Sequence, residues 1–266
     1  MKLKHLFVTL VSLVALSSCA TTPAEQGNGL TYAPWTDISY HYDLSKVKVL
    51  EGGMRSFNSL DISYGKQIFS SDRINNNEYN ATVLGTSVCL RSQPVVRNSS
   101  KRSLLNTGDK LTVMRPIGFM NGKYWDYVYV NTGYSMGLEG YVCSDYVVSQ
   151  EQAEIIQGYV FQNGSNLNLA TPSKMLRAIA DVLLKFDVNK RHLNLSVQML
   201  SNINYGEHTI VTYQIRDLGI AENSTMLAVV QFFNSNNDFI VLGVVPGTGV
   251  NNVLRNANGS YDVYFY

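Results

Sequence analysis

The chain has 266 residues, of which 45% are apolar and 15% are charged, and its 21 basic residues nearly balance 20 acidic ones. This apolar fraction is enough for a packed core and excludes a wholly disordered chain. The charges are spread along the chain without a basic block, so the electrostatic footprint of a nucleic-acid-binding protein is absent. The length allows one or two domains.

The first nineteen residues have the layout of an export signal. Lys2 and Lys4 precede an apolar run over residues 6–16, which is shorter than the roughly 20 residues of a membrane-spanning helix and typical of a secretory signal. Residues 16–19, LSSC, resemble the lipobox of bacterial lipoproteins, in which the cysteine is acylated and becomes the mature N-terminus. The alternative is plain cleavage near Cys19, which would give a soluble exported protein.

The lipobox resemblance implies that residues 1–18 are a lipoprotein signal peptide and that Cys19 carries two or three acyl chains, enough for stable membrane anchoring. Residues 19–30 are small and polar, which indicates a flexible tether. Ala20 is not the aspartate that retains lipoproteins of enteric bacteria in the inner membrane, and no acidic run follows Cys19. We therefore expect a location on the outer membrane, facing the periplasm.

Short apolar alternations broken by turn residues fill residues 81–148 and predict the strands of a small β-barrel or sandwich. Four motifs lie there in order: VCLRS, NTGDKLTV, YWDYVYV and GLEGYVCSDYV. In this order and spacing they resemble the bacterial SH3-like (SH3b) family, which implies an SH3-like barrel. Cys89 departs from the family pattern, and Tyr141 stands where tryptophan is commoner. Residues 31–80, before this region, have no assignment, and part of them is expected to add an edge strand or an extended arm to a neighbouring domain.

Two cysteines remain besides Cys19, and export would place them in an oxidising compartment. The SH3b resemblance implies that the first and last strands lie close together, and these strands carry Cys89 and Cys143. A disulfide between them is therefore predicted. The alternative is a pair of buried free thiols.

A row of aromatic side chains is the candidate ligand-binding surface. Alternation along YWDYVYV puts Trp125, Tyr127 and Tyr129 on one face of the strand and the intervening valines on the other. Since the valines suit the core, the aromatic face is expected to be the more open one, and Tyr134 from the following loop would join it. The resemblance implies a cell-wall peptide or another envelope protein as partner. The alternative is that these rings pack against the neighbouring domain.

The pattern changes at residue 150, and residues 150–266 are predicted to form an α+β domain with no recognisable motif. Thr171 and Pro172 suit a helix start, and apolar residues at three- to four-residue spacing predict an amphipathic helix over residues 172–186. Five runs then predict strands: residues 193–199, 209–217, 226–234, 239–245 and 260–266. One helix on an antiparallel sheet of about five strands is the expected architecture.

No constellation of catalytic residues stands out. No cysteine follows Cys143, which argues against a cysteine peptidase in the C-terminal half, and the histidines are scattered without metal-ligand spacing. We expect no metal and no cofactor. The sequence thus favours a non-catalytic, lipid-anchored envelope protein that binds a cell-wall peptide or glycan, or a partner protein, through its SH3b-like domain. Two alternatives stay open: a hydrolase with an unrecognised site in the C-terminal domain, and a structural subunit of an envelope complex.

Overall fold

A computed structural model describes residues 43–62, 78–162, 164–185, 194–218, 225–235 and 238–266. The predicted signal peptide, the acylation site Cys19 and the predicted tether lie outside the described residues. Within them the protein is mainly β, with three antiparallel sheets and few helices. The expectation of a mixed, mainly β fold is confirmed at this level.

The described chain begins with two short strands and a one-turn α-helix, and 3-10 turns at Leu44–Lys46 and Glu51–Gly53 precede the two strands. Strand β1 is Lys48–Val49, β2 is Arg55–Asn58 and α1 is Ser59–Ile62. β1 and β2 pair antiparallel, with Lys48 opposite Ser56. The buried side chains of Phe57 and Ile62 face away from solvent and need a partner surface, which the C-terminal strands supply.

Seven strands follow and form one antiparallel sheet. They are β3 (Tyr79–Val83), β4 (Val88–Arg91), β5 (Lys101–Leu105), β6 (Lys110–Met120), β7 (Lys123–Val130), β8 (Glu139–Cys143) and β9 (Val147–Ser149). Their order in the sheet is β5-β4-β8-β7-β6-β3-β9. One face buries a cluster of eleven apolar side chains, mostly valine and leucine.

The expected closed barrel is not found, because no backbone pairing joins the two edge strands β5 and β9 within the described residues. β9 has only three residues and pairs with β3. The chain then turns into a helix at Gln150, so β9 ends before it could extend the sheet further. The pairing between β4 and β8 is short as well, since it consists of one pair of residues, Arg91 and Tyr141.

β6 and β7 form the longest hairpin of this sheet. Asn121 and Gly122 connect them, with φ angles of 51° and 78°. Positive φ at both positions of a two-residue loop is the type I′ geometry, for which Asn-Gly is the preferred sequence. The hairpin therefore follows directly from two adjacent residues.

Two helices connect the seven-stranded sheet to the C-terminal strands. α2 is Gln150–Ile155, continued by a π-helical turn over Ile156–Val160, and α3 is Ser173–Lys185. The helix predicted over residues 172–186 is confirmed over the described part, and its apolar stripe is buried. The buried members of that stripe are Met175, Leu176, Ile179, Val182 and Leu183. Phe186, also assigned to the stripe, lies outside the described residues.

The C-terminal strands are divided between two sheets, whereas the sequence predicted one. β10 (Leu195–Asn204), β11 (His208–Asp217), β12 (Thr225–Phe233) and β13 (Phe239–Pro246) form a four-stranded sheet in chain order. α3 packs on β12 and β13. β14 (Val250–Arg255), which was not predicted, pairs with β15 (Tyr261–Phe265) in a separate sheet.

That last sheet is completed by the N-terminal segment, in the order β1-β2-β15-β14. Phe57 of β2 lies opposite Val263 of β15, and its ring meets that of Phe265 edge-on at 5.9 Å between centroids. Part of residues 31–80, expected to add an edge strand or an extended arm to a neighbouring domain, supplies two strands to this sheet, with β1 at its edge and β2 paired to β15. The main hydrophobic core joins residues of this sheet, α1, α2, α3 and the β10–β13 sheet.

Candidate ligand-binding face

Along β7, side-chain exposure changes steeply on the face of the strand that points away from the valine and leucine core. Trp125 is 1% exposed, Tyr127 is partly buried and Tyr129 is 37% exposed. The intervening Val128 and Val130 are fully buried in the core of the seven-stranded sheet. The alternation predicted from the sequence is therefore correct for the valines, and two of the three aromatic residues reach solvent.

The expectation of an open surface at Trp125 is wrong. Its cross-strand neighbours are Gly118 on β6 and Cys143 on β8, two small residues that leave room for the indole. The indole N–H donates a hydrogen bond of 2.9 Å to the carbonyl of Met120, in the adjoining hairpin. Trp125 is thus a packing residue.

Tyr127 lies at the centre of a group of side chains that we call the tyrosine face: Arg115, Tyr127, Tyr129, Glu139 and Tyr141. Register places Tyr127 between Arg115 on β6 and Tyr141 on β8. The Tyr127 and Tyr141 rings lie 5.0 Å apart between centroids, and the Arg115 guanidinium carbon is 5.6 Å from the centre of the Tyr127 ring. Such ring and cation–π contacts hold the rings in one orientation.

A hydrogen bond also fixes Tyr127. Its hydroxyl donates to Oε2 of Glu139 over 2.7 Å, and this bond, with desolvation and the nearby carboxylate charge, raises the pKa of Tyr127. Tyr127 therefore stays neutral at physiological pH and holds Glu139 in place. Arg102, on β5, donates to the backbone carbonyl of Glu139 over 2.7 Å and brings a second guanidinium to this side of the sheet.

Tyr134 lies in the loop between β7 and β8 and is 97% exposed. This loop leaves the sheet immediately after Val130 and returns at Glu139, beside the Tyr129 end of the tyrosine face. Ser135, next to it, anchors the loop: its hydroxyl donates to the carbonyl of Leu104 over 2.9 Å. Tyr134 is therefore an exposed ring on an anchored loop, at the end of the strands that carries Tyr129.

Cys89 and Cys143 carry free thiols in this structure. The bridge between Arg91 and Tyr141 fixes the antiparallel register of β4 and β8, and counting two residues along each strand from it reaches Cys89 and Cys143. Opposed residues of an antiparallel pair have neighbouring Cβ atoms, which suits a cross-strand disulfide. The disulfide stays a prediction. Burial raises the pKa of the Cys143 thiol to about 12, which disfavours a role as a nucleophile.

Among the described residues, no three or more His, Cys, Asp or Glu side chains lie together in a way that could hold a metal ion. The described helices are all too short or too polar to cross a membrane. No protein-family model matches the chain, and no curated protein or solved structure matches it either.

Sequence reasoning found Tyr127, Tyr129 and Tyr134 but missed Arg115, Glu139 and Tyr141. These three reach the face through cross-strand register, which a single strand's alternation does not contain. Two bulges in β6, one of them between Val113 and Arg115, also change which of its residues face outward. The GYVC motif could have indicated that Tyr141 lies on this face. Tyr141 alternates with the buried Val142 in the same way as Tyr127 alternates with Val128.

Proposed function

We propose that this protein is a membrane-anchored envelope lipoprotein whose SH3b-like unit binds a cell-wall peptide or glycan, or a partner protein, without catalysing a reaction. The tyrosine face is the observation that carries the proposal. Three tyrosines, one of them more than a third exposed, lie beside two guanidinium groups and one carboxylate on a single sheet surface.

The physical character of this surface suits binding. Tyrosine offers a large amphipathic contact area with few rotatable bonds, so little conformational entropy is lost when a ligand covers it. The contacts between Arg115, Tyr127 and Glu139 already fix these side chains in the unbound state. A pre-organised surface loses less free energy on binding than a mobile one.

The SH3-like character of the unit rests on the four sequence motifs, and three features of the fold support it. The motif strands form one antiparallel sheet, β4 lies beside β8 within it, and the sheet has its own apolar core. The lipid anchor rests on the resemblance of residues 16–19 to a lipobox. Replacing Cys19 with serine should move the protein from the detergent phase to the aqueous phase on phase partitioning; unchanged partitioning would contradict the anchor.

Binding is tested by co-sedimentation of the lipid-free protein with purified peptidoglycan sacculi. Tyr129→Ala combined with Tyr134→Ala should reduce affinity by at least about fivefold, the effect of losing roughly 1 kcal/mol of aromatic contact. Tyr266→Ala is the matched control. Tyr266 is also exposed, but it directly follows β15, which belongs to another sheet. Equal sedimentation of all three proteins would remove the tyrosine face from the proposal, and no sedimentation of the wild type would remove the cell wall as ligand.

A further inference from the structure

A concave site, distinct from the tyrosine face, lies where the seven-stranded sheet meets α3. This junction pocket has a volume of about 320 Å³, near the lower end of the roughly 300–1,000 Å³ of small-molecule sites. Four separate parts of the chain line it: the β6–β7 hairpin, the turn after β8, the start of α3 and the end of β12. Its lining side chains include Phe119, Lys123, Tyr124, Asp145, Tyr146 and Lys174.

The charges in the junction pocket do not balance. Lys123 forms an ion pair with Asp145, with 3.3 Å between Nζ and Oδ2. Lys174 makes no hydrogen bond or ion pair with any described residue, and its Nζ lies 5.9 Å from the centre of the Phe232 ring. The lining therefore carries two positive charges and one negative charge, and Asp145, already paired with Lys123, acts on Lys174 without a direct ion pair.

The position of Lys174 is unfavourable for the folded protein by itself. It stands in the first turn of α3, where the helix dipole disfavours a cation. Partial burial lowers the pKa of its ammonium group by desolvation, and the charges of Arg177 and Lys123 lower it further, against the opposing effect of Asp145. The negative charge of a bound anion would offset these effects by direct attraction to the ammonium group.

The apolar part of the junction pocket restricts the kind of anion. The Phe119 and Tyr124 rings lie 5.1 Å apart between centroids, and Tyr146, in the turn after β8, adds a third ring to the lining. A hydrated inorganic ion would leave these rings unused, whereas an organic acid can place its carboxylate at Lys174 and its carbon skeleton against the rings.

We propose that the junction pocket binds a small organic carboxylate, with Lys174 as the charged contact and Phe119, Tyr124 and Tyr146 as the apolar wall. Two envelope sources fit this chemistry: the C-terminal carboxylate of a peptide and the carboxylate of an acidic sugar. The site is separate from the tyrosine face, and its proposal does not depend on ligand binding there.

The test is an NMR titration of the lipid-free protein with matched pairs of small probes. One pair is N-acetyl-Ala-Ala and its C-terminal amide; the other is N-acetylmuramic acid and the neutral amide of its lactyl carboxyl group. We expect at least one acid to bind about tenfold or more tightly than its neutral counterpart, because charge-assisted hydrogen bonds are roughly twice as strong as neutral ones. The acid that binds identifies the source.

Variants then locate the binding. Lys174→Met should weaken binding of the acid by about tenfold, and Lys174→Arg should retain it. Lys185→Met, at the exposed C-terminal end of the same helix, is the matched control and should bind like the wild type. Tyr129→Ala should also leave this binding unchanged, which separates the two sites. Equal affinity for acid and neutral probes, absence of binding by both acids, or full binding by Lys174→Met would overturn the proposal.

Discussion

Trp125 and Tyr129 lie four residues apart on the same side of β7, yet one is buried and the other reaches solvent. Alternation along a strand determines the side on which a residue lies but not what covers it. The cover at Trp125 comes from the strand register and from the β6–β7 hairpin, whose Met120 carbonyl accepts the indole hydrogen bond. That information is spread over three strands, so the sequence pattern of β7 could not contain it.

Substitution of Trp125 should therefore affect stability before it affects binding. Trp125→Ala is expected to lower the free energy of unfolding by about 3–5 kcal/mol, as for other buried aromatic residues. Trp125→Phe should lose less, because a six-membered ring remains to fill most of the site, while the hydrogen bond to Met120 and part of the indole packing are removed. Urea denaturation measures both, with Tyr129→Ala as the partly exposed control. Unchanged stability of Trp125→Ala would contradict the burial of this residue.

Asp126 is a buried carboxyl group on the core side of β7. Desolvation raises its pKa from 3.8 to about 6, against the opposing effects of a hydrogen bond from Ser144 and the charge of Arg177. A group with a raised folded-state pKa binds more protons when folded than when unfolded. The contribution of Asp126 to the unfolding free energy is therefore fully present below about pH 4 and is lost as the pH rises through about 6.

Asp126→Asn should remove this pH dependence. Between pH 4 and pH 7 the wild type should lose up to about 3 kcal/mol of unfolding free energy relative to Asp126→Asn. This is the equivalent of a pKa shift of about two units. Urea denaturation at several pH values measures it. Asp61→Asn, at an exposed position of α1, is the matched control for the substitution itself. Parallel profiles for wild type and Asp126→Asn would contradict the shifted pKa.

At the scale of elements, the sequence predicted α3 and most of the C-terminal strands because their periodic patterns are long. α2 was missed although Ser149 and Gln152 form a capping box, a four-residue signal that periodicity does not detect. β14 was missed because its burial pattern has one buried residue, Val253, among partly buried and exposed ones. A strand with so little buried surface gives too weak an alternation to recognise.

The adjacent strands β4 and β8 carry the predicted disulfide. If Cys89 and Cys143 are oxidised together, they close a loop of 54 residues, which stabilises the fold by about 4 kcal/mol on the chain-entropy model. Mass spectrometry under non-reducing conditions, on protein isolated from the cells that naturally make it, should find the two cysteines linked. The double variant Cys89→Ser with Cys143→Ser should then unfold at lower urea, and the wild type treated with reductant should match it. Two free thiols in the isolated protein would contradict the prediction.

At the scale of the whole molecule, the N-terminal and C-terminal segments meet in one sheet and one core. β2 pairs with β15, and Ile62 of α1 packs against β13 at Gly243. No local sequence pattern predicts the pairing of β2 with β15, because the two strands are about 200 residues apart and β2 has only four residues. The sequence could therefore indicate an added strand but not its partner.

A substitution at Gly243 tests whether α1 packs on β13. A methyl group added there would lie 2.6 Å from Cδ1 of Ile62 and 3.1 Å from Cζ of Phe57. Gly243→Ala should therefore destabilise the protein by about 1–3 kcal/mol through overpacking. Ile62→Val removes the closest atom, so the double variant should be more stable than the sum of the single effects by about 0.5 kcal/mol or more. Additive effects, or a stable Gly243→Ala protein, would show that α1 does not pack on β13.

The most direct test of ligand binding at the tyrosine face is hydroxyl-radical footprinting of the lipid-free protein, with and without soluble peptidoglycan fragments. A ligand on this face should reduce oxidation of Tyr129 and Tyr134 and leave Tyr266 as reactive as in the free protein. Mass spectrometry of the digested protein gives the three rates in one experiment. Protection of Tyr129 and Tyr134 alone is the predicted result; equal oxidation of these two residues with and without the fragments, at concentrations that saturate binding, would contradict it.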